Sequence, residues 1–260
     1  MKSENYSEMQ NVVFYETIDS TNEAAKRLAV DAGDGIWVVA DHQSAGRGRK
    51  GREWISPAGK NLYFSLLLKP VFSPDKASML TLVMAVAVKR AIDELCAGAD
   101  VPETLQIKWP NDIVADGKKL AGILTEMQLA GSSIAHVIIG VGVNVKKQNF
   151  PQDTCAHAID IETVFEREIS RKELLSKIRQ HFADAYACFL ETRDLSGLLA
   201  EYNKALVNVN RPVRVLDPAG EFTGVANGIN EKGELMVQTD TGVVHVYAGE
   251  VSVRGVYGYV

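Results

Sequence analysis

The chain has 260 residues, of which 46% are hydrophobic and 23% are charged, and its formal net charge is −5. This length and composition predict one large globular domain, or a domain with a small appendage. The acidic balance argues against general nucleic-acid binding, which needs a broad basic face. The polar N-terminus lacks an apolar signal region, and the three cysteines, Cys96, Cys155 and Cys188, are too widely spaced for a disulfide framework or a metal site. We therefore expect a cytoplasmic protein.

A predicted strand over residues 11–17 leads directly into a predicted helix. Ser20 with Glu23 three residues later forms a capping-box pattern, which is typical of a helix start. Ser20, Thr21 and Asn22 also have a second interpretation, because strand-to-helix junctions are common places for small-molecule sites. In that interpretation they present hydroxyl and amide groups to a pocket, and these residues alone leave both interpretations open.

Residues 43–54 (QSAGRGRKGREW) follow a predicted strand over residues 35–40 and are the most distinctive stretch of the chain. Positions 46–52 contain three arginines, one lysine and three glycines. Glycine lets the backbone approach a ligand closely, and arginine carries a planar charged fork that matches phosphate or carboxylate. The stretch is expected to be a mobile loop without regular structure that becomes ordered around an anion.

Two nucleotide-binding motifs are rejected for this loop. The glycines at 46, 48 and 51 fit a dinucleotide fingerprint, but that motif must open a helix, and the residues after Trp54 include Pro57 and Gly59. A P-loop requires Lys-Ser/Thr where this chain has Arg52 and Glu53. A solvated basic loop without a ligand remains an alternative at this point.

The next elements are predicted to form a sheet and a buried helix. Strands are predicted over 61–68, 105–109, 118–129 and 134–145, and a helix over 74–97. Its apolar positions have helical spacing: Leu80, Val83, Met84, Ala87, Val88, Ala91 and Leu95. Asp116-Gly117 is a two-residue hairpin signal of type I′. The interior glycines Gly122, Gly140 and Gly142 indicate close approach of a ligand or of another backbone, and Asn144 either caps a turn or contacts a ligand.

The C-terminal half predicts a helical cover followed by a small β structure. Short helices are expected near 159–165 and 194–204, with a longer one opened by the capping box of Ser170 and Glu173. Evenly spaced short strands from residue 211 onwards favour a small barrel. We therefore expect one domain over 1–208 and a smaller C-terminal domain over 209–260.

The chemistry suggested by these residues is activation of a carboxylate by a nucleotide. The sequence offers neither a GxSxG motif nor a credible Cys/His nucleophile pair, and attack of a carboxylate on an α-phosphate requires no protein nucleophile. Lys108 and Lys119 flank the predicted hairpin beside Asp112, where they can neutralise negative charge. The product, an acyl-adenylate, hydrolyses readily, so a basic loop that excludes water suits the reaction.

The motifs taken together resemble the biotin protein ligases, also called biotin–[acetyl-CoA-carboxylase] ligases. The elements occur in order over essentially the whole chain: Ser20-Thr21-Asn22, Gln43-x2-Gly46-Arg47-Gly48-Arg49-x-Gly51-Arg52-x-Trp54, Lys108-Trp109-Pro110-Asn111-Asp112, Lys119-Leu120-Ala121-Gly122-Ile123 and Gly140-x-Gly142-x-Asn144. The resemblance implies an α+β fold, with a mixed sheet and packed helices followed by an SH3-like barrel. It also implies that biotin and ATP form biotinyl-5′-AMP, from which biotin passes to a lysine of a biotin carboxyl carrier protein.

The resemblance also implies roles for individual residues. The biotin-binding residues are Ser20, Thr21, Asn22, Gln43, Arg47, Gly48, Arg49, Lys119, Gly122 and Ile123. The nucleotide-binding residues are Arg47, Arg49, Arg52, Trp54, Asn111 and Asn144, with Trp54 near the adenine. Lys119, Arg49 and Asp112 are expected to be catalytic, and Asp112 is the candidate ligand for Mg²⁺.

The resemblance further implies a homodimer, and it leaves two alternatives. Longer family members carry an N-terminal DNA-binding domain, but the first catalytic strand here starts by about residue 11, so we expect a ligase without one. A lipoate ligase shares the catalytic fold, although the glycine–arginine loop and the C-terminal barrel favour biotin. A non-catalytic biotin-sensing module is disfavoured because Arg47, Arg49, Lys119 and Asp112 are all present.

Overall fold

The computed structural model describes residue 6 and residues 8–98, 105–152, 156–217, 220–249, 251–255 and 259–260; Cys155 lies outside the described residues. The strands are β1 Val12–Ile18, β2 Ile36–Gln43, β3 Leu62–Leu68, β4 Leu105–Lys108, β5 Asp112–Ala115, β6 Lys118–Ala130, β7 Ser133–Val143, β8 Arg211–Leu216, β9 Phe222–Ile229, β10 Leu235–Thr239, β11 Gly242–Val246 and β12 Ser252–Gly255. The helices are α1 Thr21–Leu28, α2 Met79–Leu95, α3 Ile161–Phe165, α4 Arg171–Thr192 and α5 Leu199–Ala205. This element order confirms an α+β protein with a mixed sheet.

The first seven strands form one sheet in the order β1-β2-β3-β7-β6-β5-β4. Only β1 and β2 pair in parallel, and the other neighbours are antiparallel. Successive side chains along each strand point to opposite faces of this sheet, as expected for a strand period of two. Val38 and Leu67 pack with α1 on one face, whereas Trp37, Phe64 and Leu66 belong to the main core, which also contains α2 and α4.

Local sequence signals placed most of these elements correctly. Asp116 and Gly117 both have positive φ, at 49° and 71°, as the predicted type I′ turn requires. The Ser170 side chain accepts a hydrogen bond from the Glu173 backbone N–H at 3.2 Å, so that cap is confirmed. The predicted helix over 74–97 is shorter, because α2 begins at Met79 after a separate 3₁₀ turn.

The capping box predicted at the start of α1 is wrong. Ser20 is the N-cap residue, but its side chain makes no capping hydrogen bond. Glu23, the expected partner, instead pairs with Lys26 and Arg47, each at 2.9 Å. The Ser20 N–H, which a capping-box glutamate would accept, donates to Asp19 Oδ1 at 2.7 Å, and the buried Ser20 hydroxyl lines the pocket described below.

The C-terminal strands form an antiparallel sheet in the order β11-β10-β9-β8-β12. The expected SH3-like barrel is not seen as a closed sheet among the described residues, because β11 and β12 lie at opposite edges. The turn between β9 and β10 accepts a hydrogen bond at its Gly233 carbonyl from the Trp109 indole N–H, at 2.9 Å. The segment that leads into β8 is held by Val207 N–H, which donates to the Ile107 carbonyl on β4, also at 2.9 Å. Within the described residues, no helix is both long enough and apolar enough to cross a membrane.

Candidate active site

One pocket brings together residues from every predicted motif. It lies where α1, the loop after β2 and the middle strands β6 and β7 meet. Its lining contains most of the residues expected to bind ligand: Ser20, Thr21, Asn22, Gln43, Arg47, Gly48, Arg49, Trp54, Asn111, Lys119, Gly122 and Ile123. The pocket also includes Gly140 and Gly142, which the sequence marked for close approach, and Leu124 and Val141, to which it gave no role.

The start of α1 and the end of β2 form a polar wall of the pocket. The Gln43 side-chain oxygen accepts hydrogen bonds from the Thr21 backbone N–H at 2.8 Å and from the Thr21 hydroxyl at 3.2 Å. The Gln43 amide nitrogen donates to Ser56 Oγ at 3.0 Å, and Ser56 in turn donates to the Trp54 carbonyl at 2.8 Å. Gln43 therefore joins the helix start to the loop that follows it.

Asn22 is held from both ends by residues that sequence reasoning missed. Its Nδ2 donates to Glu126 Oε2 at 2.7 Å, and its Oδ1 accepts from the Ser65 hydroxyl at 2.6 Å. Ser65 is fully buried at the centre of β3, 2.8 Å from Thr21 Oγ1. A serine inside the otherwise apolar run NLYFSLLL was the available signal, since a buried hydroxyl needs a partner.

Glycines on β6 and β7 make the pocket floor. A Cβ on Gly140 would lie 2.0 Å from Asn22 Oδ1, so the amide rests directly on that backbone. A Cβ on Gly142 would come within 2.4 Å of the Trp54 indole, and one on Gly122 within 2.9 Å of it. The interior glycines therefore serve close approach, although side chains approach them here and not the ligand or backbone that the sequence predicted. In this structure the approaching groups are Asn22 and Trp54.

Trp54 occupies part of the pocket itself. Its indole lies over Gly122 and Gly142, and Lys119 Nζ is 5.2 Å from its ring centroid. Its indole N–H is buried and has no hydrogen-bond partner among the described residues. A molecule that reaches the glycine floor has to displace this ring.

The basic loop is folded back as a narrow hairpin, which corrects the expectation that it lacks regular structure. Gly48 N–H donates to the Arg52 carbonyl at 2.7 Å, and Trp54 N–H donates to the Gly46 carbonyl at 2.9 Å. These backbone bonds supply the local ordering that composition alone did not reveal. Arg47 extends from the hairpin to Glu23 on α1 in an exposed ion pair of 2.9 Å.

Arg49 fastens the loop to both sheets. Its guanidinium donates to Asn111 Oδ1 at 2.8 Å, and also to the carbonyls of Gly249 and Val251 in the C-terminal sheet region at 2.6 and 3.0 Å. Burial lowers the pKa of this guanidinium, and the charge of Asp112 opposes that change. The arginine therefore closes one side of the pocket with a charged group near Lys119 and Asp112.

A cluster of charges lies beside the pocket around Asp112. The Asp112 Oδ1 accepts from Lys119 Nζ at 2.7 Å and from the Asn111 amide at 3.0 Å, while Oδ2 accepts from the Tyr259 hydroxyl at 2.5 Å. Burial by itself raises the pKa of Asp112, but the charges of Lys119 and Lys108 outweigh it and hold that pKa below its ordinary value. Asp112 is therefore a carboxylate that keeps Lys119 at the pocket edge.

Lys108 is the second cation of this cluster. It is only 7% exposed, and its Nζ lies 3.7 Å from the centroid of the Tyr259 ring. Burial lowers its pKa to about 8, although Asp112 acts in the opposite direction. The nearby charges of Lys119, Arg254 and Arg52 lower it further. Several cations thus surround one carboxylate, an arrangement suited to a polyanion.

Two residues expected to bind nucleotide do not line the pocket. Arg52 is exposed, and its charge acts on the site from outside the pocket, where it lowers the pKa values of Arg49 and Lys108. Asn144 is buried. Its side-chain Nδ2 donates to the Ile159 carbonyl at 3.1 Å, and its backbone carbonyl accepts from the Ile161 N–H. The structure therefore favours the turn-capping interpretation of Asn144.

The geometry allows one class of chemistry particularly well. A neutral polar and glycine-floored slot adjoins a cluster of cations, with Lys119 at the junction between them. A molecule with a carboxylate tail can place that tail beside Lys119, where a phosphate group also finds positive charge. The basic hairpin then covers the junction. Such an arrangement stabilises charge that develops on phosphoryl oxygens and excludes water.

Comparison with known proteins identifies the same fold and the same pattern. Residues 14–144 match the Biotin/lipoate A/B protein ligase family, and residues 209–254 match the Biotin protein ligase C terminal domain. The chain is 34% identical over 245 residues to the bifunctional ligase/repressor BirA of Bacillus subtilis (strain 168), covering 93% of this chain and 74% of that protein. It is 30% identical over 240 residues to the biotin–[acetyl-CoA-carboxylase] ligase of Paracoccus denitrificans, covering 91% and 98%. The structure of biotin protein ligase from Aquifex aeolicus in complex with biotin and ATP superposes with a TM-score of 0.80 at 29% identity, covering 95% of this chain and all of that one.

Proposed function

Because this chain belongs to the biotin/lipoate A/B protein ligase family, we propose that it is an ATP-dependent biotin protein ligase. It converts biotin and ATP to biotinyl-5′-AMP and pyrophosphate, and then transfers biotin to a specific lysine of a biotin carboxyl carrier protein. The observation that carries this proposal is the single pocket in which the motif residues of α1, the basic hairpin, β6 and β7 converge on Lys119.

Biotin is proposed to enter the polar slot with its ring system first. Its ureido group meets the hydroxyl and amide groups of Ser20, Thr21, Asn22 and Gln43, and its fused rings lie on the glycine floor after Trp54 has moved away. Ile123 supplies an apolar wall. The carboxylate tail then points to Lys119, because that lysine is the cation at the junction of slot and cluster.

In the first step, a carboxylate oxygen of biotin attacks the α-phosphorus of ATP. A new oxygen–phosphorus bond forms, the bond from the α-phosphorus to the bridging oxygen breaks, and pyrophosphate leaves with the bonding electrons. Lys119 is proposed to neutralise both the carboxylate and the α-phosphate, and Arg49 to act on the phosphate from the hairpin. Arg47 and Gly48 cover the intermediate and keep water out.

The nucleotide is proposed to lie on the side of the pocket nearest the cation cluster. Asn111 and Arg52 serve the phosphates there, and the displaced Trp54 packs near the adenine. Asn144 is proposed to act indirectly through the turn that it caps. The described residues contain no group of three or more His, Cys, Asp or Glu side chains placed to hold a metal. A single carboxylate, Asp112, still fits Mg²⁺ that arrives with ATP, since such Mg²⁺ is bound chiefly by substrate phosphates.

In the second step, the amine of the acceptor lysine attacks the acyl carbon of the adenylate. The new amide bond forms, AMP leaves, and the amine loses its proton. Asp112 is proposed to help position the incoming lysine, because it is a carboxylate 2.7 Å from the pocket-lining Lys119. The acceptor is proposed to be the biotin carboxyl carrier domain of acetyl-CoA carboxylase or of a related carboxylase.

Several further features are proposed from the family. Residues 1–208 form the catalytic domain, and residues 209–260 form a C-terminal domain of the SH3-like barrel type. Cys96 and Cys188 are free thiols, which supports a location in the cytoplasm, where thiols stay reduced. A homodimer also remains a prediction, and light scattering on the purified protein measures it directly.

Transfer to an acceptor tests this function directly. Purified protein is incubated with ATP, biotin and a biotin carboxyl carrier domain, and the products are probed with streptavidin. We expect one labelled band at the mass of the carrier domain, which disappears when ATP or biotin is omitted or when the acceptor lysine is replaced by arginine. Absence of label on the intact carrier domain would contradict the proposal.

Gly140→Ala should weaken biotin binding. The new Cβ would meet Asn22 Oδ1 at 2.0 Å, so Asn22 has to leave its position, and overpacking of this kind costs enough to raise the Kd for biotin by roughly 10- to 100-fold. Isothermal titration calorimetry measures this change. Gly33→Ala is the matched control, because a Cβ there meets nothing within 4 Å. Equal biotin affinities of the two variants would refute the placement of Asn22.

The KM for ATP should rise as the pH rises through the pKa of Lys108. Burial lowers that pKa to about 8, so the ammonium is charged below this pH and neutral above it. Losing one positive charge beside the phosphates should raise the KM for ATP by roughly 3- to 10-fold. In Lys108→Arg the profile should be flat in this range, because a guanidinium stays charged. Both proteins are measured at saturating biotin. If the KM for ATP rose with pH in Lys108→Arg as it does in the wild type, the prediction would be contradicted.

A further inference from the structure

Glu126 lies behind the pocket and contacts the side chain of Asn22. It stands on β6, two residues beyond the last pocket-lining residue of that strand, Leu124. Its Oε2 accepts from Asn22 Nδ2 at 2.7 Å, and its Oε1 accepts from Lys26 Nζ, also at 2.7 Å. Each carboxylate oxygen therefore has a separate donor, and one of these donors is a residue proposed to bind biotin.

The carboxylate of Glu126 decides which end of the Asn22 amide faces the pocket. An ionised carboxylate only accepts hydrogen bonds, so the amide has to turn its NH₂ group towards Glu126 and its oxygen away from it. Burial raises the pKa of Glu126, but hydrogen bonds from Lys26 and Asn22 outweigh this effect and keep it ionised. Asn22 Oδ1 consequently lies over Gly140, in the lining of the pocket.

The orientation of the Asn22 amide also fixes the direction of the hydrogen bond that Ser65 makes to it. Asn22 Oδ1 is only an acceptor, so the single proton of the Ser65 hydroxyl is donated to it, across 2.6 Å. Ser65 Oγ also lies 2.8 Å from Thr21 Oγ1, and the Thr21 hydroxyl donates its own proton to Gln43 Oε1. The directions of the hydrogen bonds from Glu126 through Asn22 to Ser65 are therefore fixed at the carboxylate.

We propose that Glu126 is a positioning residue that sets the hydrogen-bonding polarity of the ureido subsite for biotin. This inference rests on the proposed function. A ureido group carries two N–H donors and one carbonyl acceptor, and it needs an acceptor such as Asn22 Oδ1 opposite an N–H. A neutral amide at position 126 would present either an oxygen or an NH₂ group to Asn22. Asn22 could then turn over and place its own NH₂ against the ureido N–H, which loses a hydrogen bond and leaves a buried donor unpaired.

A double-mutant cycle between Glu126 and Asn22 tests this proposal. Glu126→Gln preserves the shape of the side chain, and the wild-type side chain is 32% exposed, so the variant is expected to fold. It should raise the Kd for biotin by roughly 10-fold in the wild-type background but by less than about 2-fold in Asn22→Ala, because Glu126 acts through Asn22. The KM for ATP should remain at the wild-type value in both backgrounds. Calorimetry with biotin and steady-state kinetics with ATP give these quantities.

Two further variants make the outcome decisive. Glu201→Gln is the matched control, because it also removes a carboxylate paired with a cation, Arg90, and does not line the pocket; its biotin Kd should match that of the wild type. Glu126→Asp keeps an acceptor-only group, so its Kd should fall between those of the wild type and Glu126→Gln. Thermal unfolding checks that every variant is folded.

The inference would be overturned if Glu126→Gln changed the Kd for biotin equally in the two backgrounds or left it unchanged in the wild-type background. It would also be overturned if Glu126→Asp bound biotin as weakly as Glu126→Gln. Failure of the proposed function has a different signature, since wild-type protein would then neither bind biotin nor catalyse biotin-dependent exchange of pyrophosphate into ATP.

Discussion

Lys119→Ala should lower the rate of adenylate formation by about 10²–10³-fold, which is the usual effect of removing one preorganised charge-stabilising group. Lys119 is the cation placed between the slot for biotin and the cluster for phosphates, where Asp112 holds it at 2.7 Å. Removing Lys119 leaves the biotin carboxylate and the α-phosphate without this contact. It also leaves buried Asp112 with one cationic partner fewer. Rapid-quench single-turnover measurements with ATP labelled at the α-phosphate give the rate.

Lys118→Ala is the control for this prediction. Lys118 precedes Lys119 on β6, so its side chain points to the opposite face of the strand, and it does not line the pocket. The single-turnover rate of the Lys118→Ala variant should be close to that of the wild type. A Lys119→Ala rate within a factor of two of the Lys118→Ala rate would refute the role of Lys119.

Arg49→Gly should give an enzyme that still makes adenylate, more slowly, but releases it. The Arg49 guanidinium fastens the basic hairpin to Asn111 and to the carbonyls of Gly249 and Val251, and glycine both removes these contacts and loosens the backbone. Free biotinyl-5′-AMP reacts with any exposed lysine, so biotin should appear on unrelated proteins such as serum albumin. Streptavidin blotting of a mixture of carrier domain and albumin separates specific from indiscriminate transfer.

Lys50→Gly is the matched control for the loosened backbone. Lys50 has a φ of 58° in the same hairpin, which glycine adopts without strain, and it does not line the pocket. This variant should still label only the carrier domain. If Arg49→Gly also labels only the carrier domain, the hairpin is not the cover that retains the adenylate.

Local signals in the sequence predicted those features that neighbouring residues determine. The type I′ turn at Asp116-Gly117 and the cap at Ser170 depend on a few consecutive residues, and both are confirmed. The cap at Ser20 failed because the Ser20 N–H bonds to Asp19 and Glu23 pairs with Lys26 and Arg47, of which Arg47 is brought near by the fold.

The parts of the site that were missed depend on long-range pairing. Ser65 and Glu126 reach Asn22 only because β3, β7 and β6 are neighbours in the sheet, and the residues around each do not reveal that order. Tyr259 likewise meets Asp112 across 147 positions of the chain. The five C-terminal strands were predicted from their spacing, whereas closure into a barrel depends on the edges of the sheet, where β11 and β12 stay apart among the described residues.

Exchange of labelled pyrophosphate into ATP tests the central claim most directly, because it reports adenylate formation without requiring an acceptor protein. The pocket described here predicts exchange that depends on biotin, follows saturation kinetics, and is absent when lipoate replaces biotin. Exchange supported by lipoate but not by biotin would contradict the assignment of the substrate, and no exchange with either acid would contradict the assignment of the reaction.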